Sequence, residues 1–427
     1  MNQQLKACRL SEIESNQGIP FSHAVPAVGH HCPMHTALST LQGVSRVSTL
    51  VVGMPECGFY SRYVMETPKG PNGELHYTYV LDANEVVFGC REGLLKALED
   101  MERDGADAIA VIMTCVPALI GEDIQEITES FGAGHRARAA AMDLAHYKRN
   151  GYEAGYYESY LALAEFCDAS KKENVIFLLG GAQSQEGKEL CGWLRTGSGT
   201  SSYDIVIMED VLELSQFTKI SSSCFNIVTN IHFLPLAKRL EEIYDIPYVF
   251  LGESYGGDGI QEAYKKIGTS LLLRETPVFS HLQETAKLEA RVRERLEGSR
   301  FLLTANIPDA LILTEYLCSL SMTPCFLHLE EYQQFMKEWK KKILSYGINP
   351  LTAFLVEDSM TEDGFKELGF EKPGSYRFVI GKEIGEEIGC LKAGRSFLPP
   401  LIGYERTFAL LKLLDGLLRK EDPYAAL

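Results

Sequence analysis

Cys32, Cys57 and Cys115 are the residues of this 427-residue chain with the clearest chemical potential. They stand in GHHCPMHTA, VVGMPECGFYSR and VIMTCVPALIGEDI, each at or just past an apolar, strand-like run and beside Gly or Pro. At such places a backbone turns sharply and can present a thiolate to a buried metal centre. Three thiolates from separate segments suit an iron–sulfur cluster assembled on a folded scaffold. Spacing alone leaves a second reading open, that of three unrelated buried thiols. None of the 11 cysteines forms a C-x-x-C pair, which argues against a zinc ribbon or a bacterial ferredoxin pattern. Cys167, Cys191, Cys224, Cys318 and Cys325 lie among apolar neighbours and read as small core residues.

The elements that must position these residues follow from the apolar pattern. Strand-like runs recur at Thr49–Gly53, Ala108–Met113, Val175–Gly180, Asp204–Met208, Phe225–Thr229, Phe301–Ala305, Ala353–Val356 and Tyr376–Ile380. Amphipathic segments such as Glu92–Arg103 and Leu236–Ile243 separate them. This alternation predicts an α/β protein with parallel sheets covered by helices on both faces. The pattern restarts twice, which divides the chain into 1–150, with an N-terminal arm, 151–298, and 299–427 with a C-terminal helix. The charged stretch Gly268–Gly298 reads as a helical bridge between the second and third units.

Composition excludes several function classes. The net charge of −17 disfavours nucleic acid, whose binding relies on clustered Lys and Arg. Arg291–Arg295 and Lys337–Lys342 are basic but interspersed with Glu, as on solvated helix faces. No run approaches the ~20 apolar residues of a membrane span. The polar start MNQQLKACRLSEIES lacks the apolar core of a secretion signal, so a cytoplasmic protein is expected, with reduced cysteines.

Four words, in order, carry a family resemblance. They are His31-Cys32-Pro33, Gly53 to Ser61 (GMPECGFYS), Glu85 to Gly89 (EVVFG) and Thr114 to Asp123 (TCVPALIGED). Together they resemble the component 1 family of nitrogenases and nitrogenase-like reductases. Weaker likenesses continue at Phe225 to Val228, Tyr244 to Tyr248 and Pro400 to Glu405, so the resemblance spans nearly the whole chain. It implies three Rossmann-like domains around a central cleft and an oxidoreductase subunit paired with a second component 1 chain, identical or homologous. It also implies that Cys32, Cys57 and Cys115 ligate a 4Fe-4S cluster or a larger, P-cluster-like 8Fe-7S centre. Electrons would come from a separate ATP-hydrolysing iron protein. That division of labour agrees with the lack of a G-x-x-x-x-G-K-[ST] loop here.

The departures narrow the reading. Where the family's dinitrogen-reducing chains place a cysteine for the active-site cofactor, this chain aligns Asn230, and Cys224 lies before the strand rather than after it. The segment Arg395 to Pro400 holds no histidine for such a cofactor. The expectation is therefore a reductase that does not reduce dinitrogen and whose substrate, or second metal cofactor or tetrapyrrole, occupies the cleft. A cofactor-assembly scaffold of the same fold is the alternative, and a cluster-free α/β binding protein a third. Glu253, Tyr255 and Asp258, in the loop GESYGGDG after a strand-like run, are candidate cleft residues with Asn230. Cys90 reads as a non-ligand, Thr196–Ser202 as a turn, and His232 as a partly buried histidine. His30 and His31 could serve the cluster or the fold.

Overall fold

The chain is described by a computed structural model over residues 6–22, 32–196, 202–273, 277–355, 368, 370, 376–381, 391–393 and 401–421. His30, His31, the middle of the Thr196–Ser202 turn and Arg395 to Pro400 lie outside the described residues. In chain order the strands are β1 (Cys8–Arg9), β2 (Ser48–Gly53), β3 (His76–Val80), β4 (Ala108–Met113) and β5 (Arg138–Asp143). There follow β6 (Val175–Leu179), β7 (Asp204–Ile207), β8 (Phe225–Val228), β9 (Tyr248–Phe250) and β10 (Arg300–Leu303). The last are β11 (Thr323–His328), β12 (Leu351–Ala353), β13 (Phe378–Ile380) and β14 (Leu391–Ala393).

These strands form three sheets, in the orders β3-β2-β4-β5, β7-β6-β8-β9 and β1-β12-β11-β10-β13-β14. Every pairing is parallel except β1 against β12. The α/β class with parallel sheets is thus the one the apolar alternation predicts. β2 and β4 are buried at every position, as parallel strands covered on both faces must be, and this is why their sequences STLVVG and AIAVIM are near-continuous apolar runs.

Each sheet is doubly wound. Strand order reverses between β2 and β4 in the first sheet, between β6 and β8 in the second, and between β10 and β13 in the third. At such a reversal the connections leave to opposite sides and open a crevice beyond the carboxyl ends of the two strands. The three crevices are where the chemistry-bearing residues collect.

Two elements differ from the sequence reading. The bridge read over Gly268–Gly298 is two helices, Gly257–Ser270 and Leu282–Leu296, interrupted around Pro277. The N-terminal segment, grouped by sequence with the first unit, adds its short strand to the edge of the third sheet. It is held there by Lys340, which is buried and donates to Ile13 O and to Glu14 Oε1 at 2.9 Å. So Lys337–Lys342 is not wholly a solvated face, since Trp339 and Lys340 point inward on the helix Lys337–Ser345. Arg291 and Arg295 likewise reach across to Asp415 of the helix Gly403–Glu421. No helix among the described residues is long and apolar enough to cross a membrane.

Candidate functional site

Cys57 and Cys115 follow β2 and β4, the two strands flanking the reversal in the first sheet. Both lie in the first turn of a short helix, Pro55–Ser61 and Cys115–Ile120. Cys32 caps the start of the helix Pro33–Gln42, whose first residue is a proline set for that place. All three thiols therefore sit at helix starts, where backbone N–H groups lack intrahelical partners and favour negative charge.

The first sheet brings the three thiols into one neighbourhood. Burial pushes the Cys32 thiol up to about 12, and the negative charges of Cys115 and Cys57 push it the same way. A thiol so placed ionises only when a cation compensates it, which is the demand a metal meets. Cys57 Sγ lies 3.4 Å from Thr114 Oγ1, which in turn donates to Val52 O at 2.8 Å. The His146 N–H donates to Cys115 Sγ at 3.3 Å. Gly53 is bare for a reason: a Cβ there would come within 2.2 Å of Thr114 Oγ1 and 3.0 Å of Cys57 Sγ. Among the described residues no three His, Cys, Asp or Glu side chains are grouped tightly enough for a single metal ion. A multi-iron cluster spreads its thiolates over several irons, so the donor set of three thiols and flanking N–H groups suits it.

One residue of this neighbourhood escaped the sequence reading. His35, one turn beyond Cys32, has a buried Nε2 without a hydrogen-bond partner, while its ring is held by the backbone of Tyr60. The signal was the third histidine in GHHCPMHTA. Cys90, by contrast, is buried away from the trio. Its N–H is taken by Glu122 Oε1 at 2.6 Å, and the same carboxylate packs on Gly89, whose φ of 93° only glycine adopts freely. The words EVVFG and IGED are thereby fastened together. That junction carries bare apolar side chains, with Phe88 85% exposed, Leu119 73% and Val87 71%, and the Cys57 helix adds Tyr63, 70% exposed and packed on Phe59 and Tyr60. Exposed apolar groups in such density mark a contact surface.

The other two crevices meet. A cavity of about 290 Å³ lies against Gly181, Thr229, Asn230 and His232 of the second unit, Asn306 to Asp309 after β10, and Leu401, Ile402 and Arg406. Of the predicted cleft residues, Asn230 and Tyr255 line it. Glu253 and Asp258 do not; they line a larger outer groove of about 1000 Å³, whose wall Tyr255 and Phe250 share with the cavity. Asn230 Oδ1 accepts the His232 N–H at 2.9 Å, so that side chain serves its own turn. Cys224 sits at the opposite end of β8, bonded toward Val175 O. The Tyr255 hydroxyl donates to Asp309 Oδ2 at 3.4 Å, and the Arg406 guanidinium lies 3.9 Å over the Tyr255 ring and 3.6 Å from Asp309. Arg406 also donates to Gly252 O and Ser254 O, fixing the loop. The described residues of this cavity offer amide, hydroxyl, acid and guanidinium groups, an imidazole (His232) already paired with Glu153, and no thiolate, a poor set for a thiolate-bound soft metal cofactor.

Comparison with known proteins agrees with this architecture. A family model described as nitrogenase component 1 type oxidoreductase matches residues 32–371. No curated protein sequence matches the chain. Among solved structures, a nitrogenase Cp1 structure at pH 6.5 superposes with a TM-score of 0.62 at 15% identity, covering 92% of this chain and 93% of its own. A nitrogenase Cp1 structure at pH 5 gives a TM-score of 0.50 at 16% identity, covering 97% and 92%. At these identities the structural likeness speaks for the fold.

Proposed function

The chain belongs to the nitrogenase component 1 type oxidoreductases, and from that premise we propose that it is a cytoplasmic reductase subunit in which Cys32, Cys57 and Cys115 hold an iron–sulfur cluster. A bound cluster, 4Fe-4S or larger, stores and passes single electrons. The observation that carries the reading is the gathering of three thiols at helix starts around the β2–β4 reversal.

The chain's own residues have distinct parts in this reading. The thiolates neutralise iron, and unpaired helix N–H groups with the His146 N–H stabilise the charge on sulfur. Thr114 holds Cys57, and Gly53 leaves the room both need. The apolar surface at Phe59, Tyr63, Phe88 and Leu119 docks protein partners: a second component 1 chain and an ATP-hydrolysing iron-protein-like electron donor. Substrate lies in the cavity against Asn230, Tyr255 and Arg406. At about 290 Å³ that space suits a compact group, and among the described residues the outer groove beside Glu253 and Asp258 has more room for a macrocycle such as a tetrapyrrole. Dinitrogen reduction is not part of the proposal, because the position of the cofactor thiolate is Asn230. The same lack of soft donors weighs against the assembly-scaffold alternative. The units 1–150, apart from the N-terminal segment that joins the third sheet, 151–298 and 299–427 serve as cluster domain and the two walls of the cleft.

Electron paramagnetic resonance of anaerobically purified protein, before and after dithionite, tests the reading. The expected result is a signal from a reduced cluster that appears on reduction. Folded protein that stays silent and colourless in both states would refute it.

A further inference from the structure

Behind the cavity three buried glutamates gather, and one of them holds an imidazole. Glu153 opens the helix Glu153–Ala164, and its Oε2 pairs with His232 Nε2. Glu330 Oε1 accepts the Glu153 N–H at 3.2 Å, and its Oε2 accepts from the Asn306 amide. Glu331 Oε1 accepts from Arg149 at 3.3 Å, from Asn16 at 3.4 Å and from Gln333. Glu153, Glu330 and Glu331 are 7%, 5% and 2% exposed. Arg149 is shared between Glu158 and Glu331, so four carboxyls face one guanidinium and one imidazole. Two polar atoms here, Glu331 Oε2 and the Tyr157 hydroxyl, are buried with no partner.

So many carboxylates cannot all stay ionised in such a place. Protons bound by the carboxyls themselves balance the charge. Burial first, then the charge of Glu153, pushes Glu330 up to about 8, and burial carries Glu331 up to about 7 against the pull of Arg149. The other titratable groups facing the cluster, Tyr156 and Tyr157 on the same helix and Asp309 after β10, add no cation. His232 and Asn306 also line the cavity, so one imidazole separates these carboxyls from the space assigned to substrate. With Nε2 taken by Glu153, Nδ1 is the other proton-carrying atom of that ring.

We propose that Glu153, Glu330 and Glu331 form a proton store that discharges into the cavity through His232, a role that rests on the reading of the cavity as a site of reduction. Each discharge moves one proton. It leaves the carboxyl cluster, enters His232 at Nε2 while another leaves from Nδ1, and ends on the reduced molecule in the cavity. The cluster becomes more negative by one charge until a proton from bulk water, entering by way of the cavity and His232, restores it. Electrons added to a bound molecule build up negative charge, and a nearby store of protons cancels it.

Infrared spectroscopy of the protein as purified reads this without turnover. The expected result is protonated-carboxyl absorption at neutral pH that moves to lower frequency in deuterium oxide. One component disappears in Glu330→Gln, and Glu331→Gln supplies the same reading if the first variant fails to fold. In His232→Gln the shift into the deuterated form slows by about 100-fold, the loss expected when a positioned proton carrier is removed. Absence of any protonated-carboxyl absorption, or a spectrum unchanged by either glutamine substitution, would overturn the store. Exchange at the wild-type rate in His232→Gln would overturn the route. An iron-free preparation that keeps the absorption and the slowed exchange upholds the store while refuting the electron pathway, so the two readings fail separately.

Discussion

Gly53 ends β2 without a side chain because Thr114 and Cys57 occupy the space one would need. Gly53→Ala forces both to move. Overpacking of this kind costs about 1–3 kcal/mol, but the displaced thiol should cost more in metal. We expect reduced iron occupancy in a variant whose near-ultraviolet circular dichroism still resembles the wild type. Full iron content would show that Cys57 tolerates the shift or is not a ligand. Among the acids, Glu330 and Glu331 reverse the common carboxylate behaviour. Their folded values, about 8 and about 7, lie above the usual 4.5, so the folded state holds the extra protons. Their contribution to stability is complete below that usual value and is lost as pH rises toward about 8. Denaturant midpoints should therefore fall between about pH 4.5 and about pH 8, and Glu330→Gln should flatten that fall. An equally steep fall in the variant would place the titration elsewhere.

At the scale of elements, the start of the helix Gly403–Glu421 is held to the second unit by a buried carboxylate, Glu186, beside the contacts of Arg406 and Asp415. Glu186 accepts from the Tyr264 hydroxyl at 2.6 Å, the Tyr404 N–H at 2.9 Å and the Glu405 N–H at 2.7 Å. Glu405 returns the contact by accepting the Glu186 N–H at 3.0 Å. Gly403 permits this with a φ of 53°, and a Cβ there would sit 2.0 Å from Glu186 Oε1. Gly403→Ala should cost roughly 2 kcal/mol or more, from left-handed strain and weakened charged hydrogen bonds. An unchanged denaturant midpoint would show that the tie does not hold the helix. The sequence revealed its fully buried central strands readily, because burial on both faces demands an unbroken apolar run. It hid β3 and β5, edge strands whose residues HYTYV and RAAAMD are only half buried. It also hid β11, where Pro324 reads as the end of a helix. Pro324 is accommodated at an irregularity in register opposite Phe301.

At the scale of the whole molecule, three doubly wound sheets place their reversals so that one crevice gathers thiols and the other two share a cavity. The cysteine words were legible because each couples a strand end to a helix start within a few residues. The proton cluster was not, because Glu153, His232 and Glu330 lie far apart in the chain, Glu330 in a different unit from the other two, and no local pattern joins them. Glu253 and Asp258 were placed near the cavity by a sound rule about strand ends, yet they face the outer groove, since Tyr255 and Arg406 form the wall between. The measurement that bears most directly on the central claim is iron and acid-labile sulfide per chain after strictly anaerobic purification, for the wild type beside Cys57→Ala and Cys115→Ala. The account predicts about four irons per cluster site in the wild type, or about eight for a larger centre, and near-complete loss in either folded variant. Full iron in either variant, or none in a folded wild type, would contradict it.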